Sequence, residues 1–269
     1  MEAYSNFLKE MITVADEVSL FISNHIEKVN PNDIETKEMN SLVSYVDKIA
    51  EEKIVEGLLK IIPNAGFITE EETENKKGEE YTFIIDPLDG TTNYLNKIPH
   101  YSISIALQKN EETIIGLVKS IPHDETWTAV KGNGAYLNGN KIAVSSKSLH
   151  DSIVSTGFPY SNNLNYDAHF DVIKYWMTHC GGIRRMGSAA MDLCYVASGR
   201  FGTYYESTLN AWDVAAGILI VEEAGGIVSD FKGGDNYIFG GSIVASSPTV
   251  HQEVLDNIQK NLFPDDKKY

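Results

Sequence analysis

Cysteine is almost missing from this sequence. Two residues, Cys180 and Cys194, stand in a chain of 269, and so few imply no disulfide framework. Positive charge is scarce as well: Lys and Arg number 22 against 38 Asp and Glu, a formal net charge of −16 at pH 7. A surface of that sign repels nucleic acid and anionic membrane, so neither is expected as a partner. It attracts divalent cations wherever several acids converge. Long apolar runs are absent; none reaches the length that spans a bilayer. The first residues, Met1 to Asn6, carry no basic region and lead into no apolar run of the secretory type. A cytoplasmic location is the resulting expectation. No internal repeat, low-complexity tract or linker-like segment interrupts the chain.

What is present suffices for a sizeable core. Hydrophobic residues make up 42% of the chain, and its length allows one large domain or two closely packed halves. The most informative stretch is Ile84-Ile85-Asp86-Pro87-Leu88-Asp89-Gly90-Thr91-Thr92-Asn93-Tyr94. Tyr81 to Ile85, β-branched and aromatic, predicts a strand. Pro87 predicts its end at Asp86, because proline has no N–H for a ladder and a fixed φ. Asp86 and Asp89 then lie three residues apart across a tight turn. Gly90 allows a backbone conformation that most residues avoid. Thr91 and Thr92 offer hydroxyl and N–H groups in the manner of a helix N-terminus. Asp-Pro and Asp-Gly are ordinary turn dipeptides, so a plain turn is the competing reading. Two carboxylates beside a group of donors also fit a hard divalent cation bridged to a phosphate, and the turn taken alone leaves both readings open.

The longer string from Asp86 to Asn93 closely resembles the first signature of the inositol monophosphatase family. That family's second signature is matched by Trp212-Asp213-Val214-Ala215-Ala216-Gly217, closed by Glu223-Ala224-Gly225-Gly226. The resemblance runs from about Asp47 to Asp230. It implies an α+β fold, a layered αβαβα sandwich of the sugar-phosphatase type. An antiparallel half (1–145) with the first signature would be followed by a mixed α/β half (146–269) with the second, in one compact unit. It also implies Mg2+-dependent hydrolysis of a small phosphorylated metabolite, two or three Mg2+ ions per site, lithium sensitivity and a homodimer.

The resemblance assigns residues as well. Glu70, Asp86, the Leu88 carbonyl, Asp89 and Asp213 would hold metal. Family members have Gly-Glu-Glu where this chain has Thr69-Glu70-Glu71, and the family's ligand is the first Glu, hence Glu70. Asp47, ending Leu42-Val43-Ser44-Tyr45-Val46-Asp47, would support Thr91 in orienting the attacking water. Asp47, Thr91 and Glu70 thus form the catalytic group. Substrate would meet Glu70, Leu88, Asp89, Gly90, Thr91, Gly187, Ser188, Ala189, Glu206 and Asp213. The N–H groups of Gly90 and Thr91 would hold phosphate, while Ser188, Ala189, Glu206 and Asp213 would read the alcohol.

Local pattern offers plainer explanations for several of these. Asp47 and Asp213 suit the first turn of a helix, where the dipole favours an acid. Asp213, however, opens a nearly all-apolar helix, where a lone charge is costly without a partner. Thr69 to Glu80 reads as a solvated charged loop, Glu70 excepted, with Thr73–Gly78 a candidate mobile gate. Gly187-Ser188-Ala189 could serve close helix packing.

Elsewhere, residues 1–29 predict an amphipathic helix ended by Pro31. A charged loop through Asn40 and a helix from Asp47 to Ile62 follow. Strands at Ser102–Gln108, Thr113–Ser120, Thr126–Val130 and Ala135–Leu137, joined by hairpin turns, predict an antiparallel meander. From about Ser145 strands and helices alternate, and the last helix is expected to start at Pro248.

Inositol monophosphate is the expected substrate. NADP(H) 2′-phosphate, fructose 1,6-bisphosphate and 3′-phosphoadenosine phosphate are alternatives that the shared core leaves open, with selectivity expected in Phe158–Asn165 and Ser207–Asn210. A non-catalytic regulatory binder is the competing class. The match at Asp47, Glu70, Asp86, Asp89, Thr91 and Asp213 argues against it.

Overall fold

The computed structural model describes residues 2–29, 34–38, 41–74, 76, 78–158 and 165–264. Helix α1 (Glu2–Ser23) stops short of the expected end. Ser23, Asn24 and His25 are weak helix formers that favour turns, and His25 N–H turns back to the Ile22 carbonyl at 3.1 Å. Pro31 lies outside the described residues. The expected charged loop through Asn40 is instead a hairpin in part: β1 (Ile34–Glu38) pairs antiparallel with β2 (Ser41–Ser44). Ile34, Thr36 and Val43 supply the β-branched residues that favour it. Helix α2 (Tyr45–Ile61) follows directly.

A seven-stranded sheet comes next, with spatial order equal to sequence order. Its strands are β3 (Gly66–Thr69), β4 (Tyr81–Asp89), β5 (Ser102–Lys109), β6 (Glu112–Ser120), β7 (Glu125–Val130), β8 (Ala135–Leu137) and β9 (Asn140–Lys141), with the short helix α3 (Thr91–Leu95) after β4. The meander is antiparallel as expected, but β3 and β4 run parallel. The long connection from Glu70 to Glu80 makes that possible, since parallel strands need a crossover rather than a tight turn. Strand β4 does not end at Asp86. It continues to Asp89, and its register against β5 slips between Asp86 and Asp89, where Pro87 sits. A bulge absorbs the missing N–H that the sequence suggested would end the strand.

The second sheet contains β10 (Ile153–Thr156), β11 (Gly182–Arg184), β12 (Thr203–Ser207), β13 (Ile227–Ser229) and β14 (Ser242–Ser246), in the order β11-β10-β12-β14-β13. The pairs that β10 makes are parallel and those that β14 makes are antiparallel. Helices α4 (Tyr166–His179), α5 (Ala189–Ala197), α6 (Ala211–Glu223) and α7 (His251–Leu262) complete the chain. Pro248 lies in the turn before α7 rather than at its start.

Period-two alternation sorts these elements into layers. Phe83 and Ile85 of β4, Ile105 of β5 and Leu117 of β6 join a core with α1 and α2. Their neighbours Ile84, Ala106 and Val118 point the other way, into a core with α5 and α6. Tyr204 of β12 and Ile243 of β14 reach that same core from the second sheet. Tyr205 and Val244 face α4 and α7. The result is an αβαβα sandwich with α5 and α6 at its centre. Both cysteines are free thiols, and among the described residues no helix is long and apolar enough to cross a membrane.

Helix α6 is apolar on nearly every side because sheets cover both its faces. It lies close on β6 through Gly116: a Cβ built there would stand 2.5 Å from the Ala216 carbonyl oxygen. Gly116→Ala should therefore destabilise the fold by about 1–3 kcal/mol, the usual range for overpacking. Urea unfolding should show a lower midpoint with unchanged slope. An unchanged midpoint would mean that α6 can lift away at no cost.

Candidate active site

The site begins at the start of α2. Ser44 caps the helix, and Asp47 Oδ2 accepts both the Ser44 N–H at 2.9 Å and the Ser44 hydroxyl at 2.7 Å. Asp47 Oδ1 accepts the Thr91 hydroxyl at 2.9 Å, across 44 residues of sequence. The plain and the functional readings of Asp47 are thus both realised, one on each oxygen. Thr91 Oγ1 also lies 2.9 Å from the Leu88 carbonyl oxygen. Gly90 makes this corner possible. Its φ is +93°, and a Cβ would meet the His100 and Gly187 carbonyl oxygens at 3.0 and 3.2 Å.

Around this corner the acids converge. Asp86 is 2% exposed and accepts the Leu88 N–H at 2.9 Å. Burial pushes its carboxyl well up, and the charges of Glu70, Asp89 and Asp213 push further. Asp89 Oδ2 accepts the Ser188 hydroxyl at 2.6 Å and the Ala190 N–H at 2.8 Å. Burial raises Asp89 to about 6 against those bonds. Asp213, in the first turn of α6, accepts the Asn210 N–H at 2.6 Å. Burial and then the Asp89 charge raise it well above the carboxylate range. Among the described residues, no three His, Cys, Asp or Glu side chains are already grouped so as to hold a metal ion. Asp86, Asp89 and Asp213 each lean on a local N–H or hydroxyl, which favours the charged form against burial and repulsion. The donors themselves are hard oxygens, the set that suits Mg2+.

Residues of the second half reach the same place. The Ser188 hydroxyl is buried and committed to Asp89, so it acts first as that acid's support and only then as a contact for an alcohol. Ala189 sits beside it in the first turn of α5. Gly187 has φ +87°, and a Cβ there would press on Arg185 Nη1 at 2.7 Å and Asn93 Nδ2 at 3.2 Å. Asn93 ties the first signature to the turn before α5, its amide donating to the His100 carbonyl at 2.8 Å and the Met186 carbonyl at 2.9 Å. Glu206 accepts the Tyr204 hydroxyl at 2.6 Å. Burial lifts it to about 7, opposed by that bond and by the Arg185 charge.

Sequence reasoning missed several contributors. Gly157 is one: a Cβ there would fall 1.8 Å from the Glu206 carboxyl, so the acid occupies the space a side chain would fill. Arg185 and Asn93 are others, and neither stands out by spacing. The loop after Glu70 is tethered rather than open, through the Thr73 N–H on Glu51, Thr69 Oγ1 on the Glu74 carbonyl and a Phe67–Lys76 bridge. Asn75 and Lys77 lie outside the described residues, as does 159–164 of the expected selectivity loop.

The family model described as the inositol monophosphatase family matches residues 3–262. The Nus factor SuhB of Pasteurella multocida is 39% identical over 97% of this chain and 100% of its own length. The inositol-1-monophosphatase of Rhizobium meliloti is 37% identical over 96% of this chain and 98% of its own. The crystal structure of the extragenic suppressor protein suhB from Bartonella henselae superposes with a TM-score of 0.90 at 35% identity, covering 94% of this chain and 98% of that one.

A raised carboxyl pKa makes the folded state lose stability as pH rises through it. Glu206, lifted to about 7, should contribute fully below its ordinary range and cost stability above about 7. Buried His100, lowered to about 4, works in the opposite direction, so the informative comparison is with Glu206→Gln. In the absence of divalent cations the variant should gain on the wild type by about 2–3 kcal/mol between roughly pH 5 and pH 8. Parallel stability curves across that window would contradict the assignment.

Proposed function

The chain belongs to the inositol monophosphatase family, and from that premise we propose that it is a Mg2+-dependent phosphomonoesterase acting on inositol monophosphate. The observation that carries this reading is the Asp47–Thr91 hydrogen bond set beside Asp86, Asp89 and Asp213, three carboxyls whose pKa burial raises, with the Asp89 charge adding to the rise at Asp86 and Asp213. The Thr91 hydroxyl has one proton. Given to the Asp47 carboxylate, the stronger of its two acceptors, it leaves lone pairs on Oγ1 that can accept from a water and so orient it. The N–H groups of Gly90 and Thr91 would hold the phosphate. Glu206, kept in place by Tyr204 and by the space at Gly157, would accept a hydroxyl of the departing alcohol. Glu70, Asp86, the Leu88 carbonyl, Asp89 and Asp213 would hold two or three Mg2+ ions, whose charge neutralises phosphoryl oxygens and lowers the pKa of bound water.

A non-catalytic regulatory role is the second reading, and the relatives named Nus factor SuhB are what favours it. Phosphate release from inositol 1-phosphate, with and without Mg2+, separates the two. Turnover is expected with Mg2+, and Asp89→Asn should lower kcat at least about a hundredfold while leaving the fold intact. A folded Asp89→Asn protein keeping a tenth of the wild-type kcat would contradict the site assignment. A panel of kcat/KM values should then rank inositol monophosphate above NADP, fructose 1,6-bisphosphate and 3′-phosphoadenosine phosphate.

Thr91→Ala should lower kcat more than it raises KM, because orienting a water acts mainly in the transition state. Asp47→Asn should behave alike, and the double variant should lose less than the sum. Full additivity would separate the two residues. A homodimer is part of the same proposal, and sedimentation equilibrium of the purified chain tests it.

A further inference from the structure

Glu51 is fully buried on α2, four residues after Asp47. An acid in that position is costly unless its oxygens are satisfied. They are: Glu51 Oε2 accepts the Glu71 N–H and Oε1 accepts the Thr73 N–H, each at 2.8 Å. Glu72, between these two donors, has φ +57°. That left-handed turn aims both N–H groups at one carboxylate, and the carboxylate in turn holds a conformation that a non-glycine residue seldom adopts. No neutral side chain does the same. Gln has one acceptor oxygen, and its NH2 would face an N–H.

The tether begins at the residue next to Glu70. Glu70 is held on its other side by its own N–H, which donates to the Ile85 carbonyl of β4 at 3.3 Å. Residues at i and i+4 lie on one helix face, so α2 carries Asp47 under Thr91 and Glu51 under the Glu70 loop, one turn apart. We propose that Glu51 is a positioning residue of the metal site, fixing Glu70 relative to the Asp47–Thr91 pair through the amides of Glu71 and Thr73. The inference rests on the reading of Glu70 as a metal ligand.

Isothermal titration of the full chain with Mg2+ alone tests it, without turnover. Glu51→Gln should weaken Mg2+ binding roughly 10–100-fold, the range for residues that orient a ligand rather than touch the ion. Leu255→Ala, on the buried face of α7 in the opposite outer layer, should lower stability and leave Mg2+ affinity unchanged. This control separates positioning from general loosening. In the metal-free wild type, amide exchange should show Glu71 and Thr73 protected, and Glu51→Gln should lose that protection before the sheet does. Wild-type Mg2+ affinity in folded Glu51→Gln would overturn the inference. So would equal weakening in Leu255→Ala. If Glu51→Gln does not fold, unprotected Glu71 and Thr73 amides in the wild type would overturn it alone. A wild type that binds no Mg2+ would instead remove the metal-site reading beneath it.

Discussion

Repulsion among buried carboxylates is the constraint on which the rest of this structure depends. Asp86 lies against the charges of Glu70, Asp89 and Asp213, in a place where burial already penalises ionisation. Three of these acids have a local donor: Leu88 N–H for Asp86, the Ser188 hydroxyl with the Ala190 N–H for Asp89, and Asn210 N–H for Asp213. These donors come from the first signature and from the N-terminal ends of α5 and α6. Asn93 adds a further stitch from the first signature to the Met186 carbonyl. A cation would replace the repulsion with attraction, and the strain stored in the acids becomes affinity for it.

The layers exist to present these acids from elements that do not bend. Asp86 and Asp89 sit on a bulged end of a central strand, Asp213 on a helix covered by sheets on both sides, and Asp47 and Glu51 on one face of α2. Close backbone approach at Gly116 and Gly90 sets the distances between layers. A site built on helices and strands is more precise than one built on loops. The Glu70 loop is the exception, and Glu51 compensates by tying it to α2.

Much of this was legible in the sequence. Strand runs punctuated by hairpin turns marked the antiparallel meander, alternating strands and helices marked the second half, and the apolar stretch after Asp213 marked the central helix. The Asp86–Asn93 and Trp212–Gly217 strings gave the family. What escaped has a physical cause in each case. The bulge at Pro87 looks like a strand end, because the sequence shows the lost N–H but not the register slip that absorbs it. Gly157 carries no pattern, since its role is to leave space for Glu206 from a distant strand. Glu51 sits among other acids of α2 and is distinguished by burial alone. The hairpin at Ile34–Ser44 is hidden by its charge.

The most direct measurement is the thermal midpoint of the metal-free protein, with and without Mg2+, against NaCl at matched ionic strength. A net charge of −16 could respond to screening alone, so the salt control decides. A cation that binds the folded state at a hundred times its Kd stabilises it by about 2.7 kcal/mol, several degrees for a chain of this size. If the acids share a cation, Mg2+ should raise the midpoint well beyond NaCl. Asp86→Asn should raise the metal-free midpoint and remove most of the Mg2+-specific shift, because it deletes one repelling charge and one ligand. An equal shift in NaCl, or an unchanged Mg2+ shift in Asp86→Asn, would contradict a shared metal site.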